Sequence, residues 1–107
     1  MPTITDPITK IRALISDLEK EREKYPPKPK DKAEKKAAKN IEDAIKKLFK
    51  AIQDLEKDDG ELPNSKAADD IKKAYDELEC EDAKKEGDDF ITIAFCDRMK
   101  GILDQVL

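Results

Sequence analysis

The side chains able to do chemistry in this chain are two cysteines, Cys80 and Cys96, and 26 Asp and Glu residues; there is no histidine. Without histidine the usual general base, the usual proton shuttle and the commonest nitrogen ligand for zinc or iron are all missing. A carboxylate pair can still act as acid and base, but one partner then needs its pKa raised by apolar surroundings. No Asp or Glu falls on the apolar stripe of the first three helices described below, so no such partner is expected. The segment QDLEKDDGELPNS has the look of a calcium loop. Placing Gly60 sixth, however, puts Leu55 first and leaves no acid at the twelfth position. Phosphate loops, dinucleotide fingerprints and nucleophile elbows do not occur. The expectation is a protein that is not an enzyme and that carries no metal and no cofactor.

Cys80 and Cys96 stand sixteen apart with no CxxC pattern. On regular helices Cys80 points away from the apolar stripe of its helix, while Cys96 borders a core face. A bridge between them would therefore need distortion, and free thiols in a reducing compartment are the expectation. Arg98 is the one positive neighbour of Cys96, too little to mark a nucleophile.

The strongest functional signal is a set of apolar residues with no evident core to enter. With about 100° per residue, Phe95, Met99, Ile102, Leu103, Val106 and Leu107 gather on one face of the last helix, with Ile91 and Cys96 at its edges. Phe90, Ile93 and Ala94 fall opposite, next to Asp97, Lys100, Gly101 and Asp104. The set Phe90, Ile93, Ala94 and Asp97, flanked by Arg98, Lys100 and Gly101, has the i, i+3, i+4, i+7 spacing of a helix that lies in a partner's groove. Two readings follow. This face contacts a protein partner, or the helix is apolar nearly all round because it is buried, by the other three or by a second copy of the chain. Gly101 weighs against simple burial, since a mid-helix glycine costs about 0.5–1 kcal/mol relative to Ala and is easier to understand where another backbone comes close. A third reading is an apolar ligand held between Phe49, Tyr75, Phe95 and Met99.

Four helices have to position these residues. The first is predicted over 7–25: Asp6 caps it, Pro7 suits its first position, Ile8, Ile11, Leu14, Ile15 and Leu18 form its stripe, and Tyr25-Pro26-Pro27 stops it. The second is predicted over 32–57, with Ala37, Ile41, Ala44, Ile45, Leu48, Ala51, Ile52 and Leu55 inward, Phe49 beside them and Asp58-Asp59-Gly60 ending it. The third is predicted over 65–84, capped by Asn64 or Ser65, with Ala67, Ala68, Ile71, Ala74, Tyr75 and Leu78 inward and a weak end before Gly87. The fourth is predicted over 89–106. Short connections make consecutive helices antiparallel neighbours. The expected fold is an all-α, antiparallel up-down four-helix bundle forming a single domain over residues 1–107. The alternative is a three-helix core with the third helix packed loosely outside.

Charge is unevenly distributed. Residues 24–50 carry ten Lys against four acids, and residues 54–89 carry fifteen acids against six Lys. The basic run KPKDKAEKKAAKN has neither an aromatic residue nor an Arg with which to stack on or fork onto bases. A solvated helix face is the simpler reading, and no nucleic-acid partner is expected. No apolar run approaches the roughly 20 residues that cross a bilayer, and MPTITDPITK lacks the marks of a secretion signal. No membrane association and a cytoplasmic location are therefore expected.

The first 85 residues or so, with Lys/Glu/Ala-filled surfaces, regular caps and the proline-bounded loops YPPKPKDK and DDGELPNSK, resemble computationally designed helical bundles. The segment DDFITIAFCDRMKG departs from that likeness, because Thr92 and Ile93 are indifferent helix formers, and designers avoid residues such as Cys96 and Gly101 in such places. The resemblance implies a scaffold displaying a transplanted helical motif, such as a binding segment or an epitope.

Overall fold

A computed structural model of the chain describes residues 6–58, 61–80 and 90–107, with the side chains of Asp6, Phe90, Ile91 and Thr92 left out. The expectations placed on the side chain of Asp6, on Asp59, Gly60 and Gly87, and on the side chains of Phe90 and Ile91 lie outside the described residues.

Helix α1 spans Asp6–Glu23. Its apolar spacing buries Ile11, Leu14, Ile15 and Leu18, and Ile8 packs beside them. Past Glu23 the chain tightens, with the amides of Lys24 and Tyr25 donating to the carbonyls of Glu21 and Arg22. The Arg22 guanidinium then donates to the carbonyl oxygens of Tyr25 at 3.4 Å and Pro26 at 3.3 Å. These are carbonyls that the prolines leave without a helical partner, and a cation suits this end of the helix dipole.

Helix α2 spans Lys32–Lys57 and is capped by Asp31, whose side chain accepts from the Ala33 amide at 3.2 Å. Its buried residues are Ala38, Ile41, Ala44, Leu48, Ala51, Ile52 and Leu55. Ala38 replaces the expected Ala37 inside, Ile45 is only partly covered, and Phe49 is exposed. Helix α3 spans Ser65–Glu77, with Asn64 as its cap. It stops well before residue 84, because Leu78 leaves the helical conformation and Glu79 adopts φ 54. Helix α4 spans Phe90–Val106.

Helix α2 packs on α1 and α3, and α4 completes the ring by packing on α1 and α3; among the described residues α2 and α4 make no helix contact, nor do α1 and α3. Cross-links fix the directions. Arg12 near the start of α1 meets Glu56 near the end of α2, and the Asn64 amide at the start of α3 donates to the Val106 carbonyl at the end of α4, 2.8 Å away. This is the expected all-α up-down four-helix bundle, its core continuous through all four helices. The alternative with a loose third helix fails, since Ala67, Ala68, Ile71 and Ala74 are at most 1% exposed. Their small side chains let α3 lie close against its neighbours.

Asn64 ties three helix ends together. Its side-chain oxygen accepts from the Ala67 amide at 3.0 Å, and its Nδ2 donates to the Asp54 carbonyl and to Asp58 Oδ2. Burying an amide without partners is costly; Asn64 is buried with its side-chain oxygen and nitrogen both engaged.

Candidate functional site: the outer face of the fourth helix

Phe95, Cys96, Met99, Ile102 and Val106 turn into the core, and Leu103 packs at its edge. Leu107, expected on the same face, is 60% exposed, being one residue and about 100° beyond Val106. The opposite side of α4 carries the residues singled out from the sequence. Ala94, Asp97, Lys100 and Gly101 are exposed, and Ile93 is half-buried. Phe90 contributes the first residue of the helix.

A Cβ built on Gly101 meets no heavy atom of the described residues within 4 Å, so their packing does not require a glycine there. Arg98 is placed differently from the other candidates. It leans toward α1, where Nη1 donates to Asp17 Oδ2 at 2.7 Å, and its guanidinium carbon lies 6.0 Å from the centre of the Phe95 ring. That side chain helps to hold α4 on α1. The outer face therefore consists of Ala94, Asp97, Lys100 and Gly101 with Ile93 at its margin, and Arg98 marks its border.

The cysteines overturn the expectation of free thiols. Cys80 and Cys96 form a disulfide with Cα atoms 5.8 Å apart, and both residues are buried. The distortion that a bridge was expected to need is the break at Leu78–Glu79. It takes Cys80 off the course of α3 and into the core against α4.

A second correction concerns carboxylates. Asp70, in the first turns of α3, is only 3% exposed, and its Oδ2 has no hydrogen-bond partner among the described residues. Burial first, then the neighbouring Asp54 carboxylate on α2, push its pKa up to about 6, against smaller opposing pulls from Lys50 and Lys73. A protonated Asp70 can donate to Asp54, which favours the neutral form. Asp70 is thus the buried acid with a raised pKa that the residue pattern did not reveal. Among the described residues no group of three or more His, Cys, Asp and Glu is placed to hold a metal ion.

The four residues considered for an interior ligand differ in burial. Phe49 lies on the surface of α2, Met99 is fully buried and Phe95 nearly so. Tyr75 lines a cleft between α3 and α4 with Lys72, Asp76, Lys100 and Leu103. Its lining is spaced i, i+3, i+4 on α3 and i, i+3 on α4, a pattern legible only once the two helices are known to be neighbours. No helix among the described residues is long and apolar enough to cross a membrane. Comparison with protein families, with curated proteins and with solved structures gives no match to this chain.

Proposed function

We propose that this chain is a non-enzymatic protein-binding module whose interaction surface is the outer face of α4, with Ile93, Ala94, Asp97, Lys100 and Gly101 making the contact. The observation that carries this reading is Gly101. It accepts the helix cost of glycine at a point where a side chain would meet nothing among the described residues. A partner backbone lying across α4 gives that glycine a use, and the small side chain of Ala94, about two turns earlier, keeps the same track shallow.

The display-scaffold reading belongs to the same proposal in a narrower form. Cys96 is bonded to Cys80 and Met99 is fully buried, so the inner half of α4 belongs to the host core. Only the outer half is available as a displayed motif. The disulfide also moves the proposed location from a reducing cytosol to an oxidising compartment, where such bonds persist.

The test compares affinity capture by the unaltered chain, by Gly101→Gln and by a control, Lys46→Gln on exposed α2. Partners retained by the control and lost with Gly101→Gln, with folding intact by circular dichroism, support the reading. Equal capture by all three overturns it. Analytical ultracentrifugation at micromolar concentration identifies a second copy of the chain as the occupant if the unaltered protein dimerises and Gly101→Gln does not.

A further inference from the structure

The cleft between α3 and α4 has a volume of about 310 Å3 and is lined by Lys72, Tyr75, Asp76, Lys100 and Leu103. Tyr75 and Leu103 are partly buried and rest on the core, so they form an apolar floor. Lys72 and Lys100 are exposed, one contributed by each helix. Among the described residues neither ammonium group is engaged in an ion pair or hydrogen bond. Two unengaged cations and one carboxylate, Asp76, thus border an apolar floor.

We infer that this cleft binds an amphipathic monocarboxylate, such as a medium-chain fatty acid or an arylalkanoate. Its hydrocarbon body lies on Tyr75 and Leu103, and its carboxylate sits between the Lys72 and Lys100 ammonium groups. The volume is at the small end of ligand sites, which suits a short chain and not a drug-sized molecule. Lysine heads on flexible stems act as point charges and can converge on one carboxylate without the fork geometry that arginine needs. Asp76 sets the charge of the ligand, because its repulsion disfavours a second negative group close to the first. The inference does not depend on a protein partner, although Lys100 borders both surfaces.

Octanoate titrated into the full chain and followed by amide NMR tests it. Saturable shifts centred on Lys72, Tyr75, Lys100 and Leu103 are expected, and octan-1-ol should bind about tenfold more weakly, a loss matching one charge-assisted contact. The double variant Lys72→Glu/Lys100→Glu should weaken octanoate at least as much. If that variant fails to fold by circular dichroism, Lys72→Gln/Lys100→Gln replaces it with the same expectation. Absence of saturable shifts, shifts centred elsewhere, or equal affinity for octanoate and octan-1-ol overturns the inference. Partner capture through Gly101 can succeed or fail independently of all of these results.

Discussion

The α1–α2 hairpin and the α3–α4 hairpin perform the same architectural task with different means. In the first, two long helices interlock through Ile11, Leu14, Ile15 and Leu18 on one side and Ile41, Leu48, Ile52 and Leu55 on the other, all buried. Its turn is closed by Arg22 on proline-region carbonyls. In the second, α3 has 13 residues and buries mostly alanine, with Ile71 within it and Leu78 just past its end as the larger side chains. A covalent bond then joins the residue just past α3 to the middle of α4. Where the apolar interface is thin, connectivity substitutes for area, and the helix so fastened is the one that presents an outer face with an open glycine.

The contrast can be broken most forcefully in the first hairpin. Leu48 is completely buried, and Leu48→Ala removes its side chain and leaves a cavity, costing about 2–5 kcal/mol. Urea denaturation should show that loss as a lower midpoint with an unchanged slope. A loss below about 1 kcal/mol would mean that the first hairpin is not the apolar centre of the fold.

In the second hairpin the matching change is removal of the bridge. Closing a loop of this length restrains the unfolded chain by about 3 kcal/mol, so Cys80→Ala/Cys96→Ala should destabilise by roughly that amount. Hydrogen exchange sharpens the comparison: amides of α4 should lose protection first, while α1 and α2 retain theirs. Uniform loss over all four helices would show that the two hairpins do not differ in their dependence on the bond.

Asp70 is the next lever. Its folded pKa, near 6, lies above the ordinary carboxylate value of 3.8, so its neutral form is the one the fold prefers. The stability it contributes is fully present below pH 3.8 and is lost as pH rises through 6. By linkage the difference amounts to about 2–3 kcal/mol. Asp70→Asn, which keeps the shape and removes the charge, should therefore be more stable than the unaltered chain at pH 8, with the gap closing toward pH 4. Parallel stability curves across that range would show that Asp70 ionises without cost.

The same division governs what the sequence made legible. Helices α1 and α2 follow from local signals: Tyr25-Pro26-Pro27 marks the stop after α1, and the three-and-four spacing of isoleucine and leucine names the buried face. The end of α3 carries no such signal. A left-handed turn is ordinarily marked by glycine or asparagine, and here the residue is Glu79. Reading the helix onward through it turned Cys80 outward and hid the disulfide. Asp70 was hidden for another reason. Polarity places an aspartate outside by default, and only the packing of α3 on α2 brings it against Asp54. Of the candidate face, Ala94, Asp97, Lys100 and Gly101 were legible because outward position is a property of one helix. The engagement of Arg98 with Asp17 was not, because it is a property of two.

The smallest expected effect compares two ion pairs that both anchor on α1. Arg12 and Glu56 meet at 2.8 Å across the first hairpin with side chains 63% and 52% exposed, so solvent and salt screen them and the pair should contribute little, about 0–0.5 kcal/mol. Arg98 and Asp17 meet at 2.7 Å where α4 rests on α1, less exposed at 39% and 45%, and the guanidinium also approaches the Phe95 ring. Packing of that stem and cation–π attraction add to the ion pair, so Arg98→Ala should cost about 1 kcal/mol and Arg12→Ala less than half of that. Double-mutant cycles with Asp17→Ala and Glu56→Ala, run at low and high salt, separate the contributions. If the Arg98–Asp17 coupling vanishes at high salt while Arg98→Ala still destabilises, the residue holds α4 mainly through Phe95. If both vanish, Arg98 does not fasten the helix, and it rejoins the outer face as a residue available to a partner.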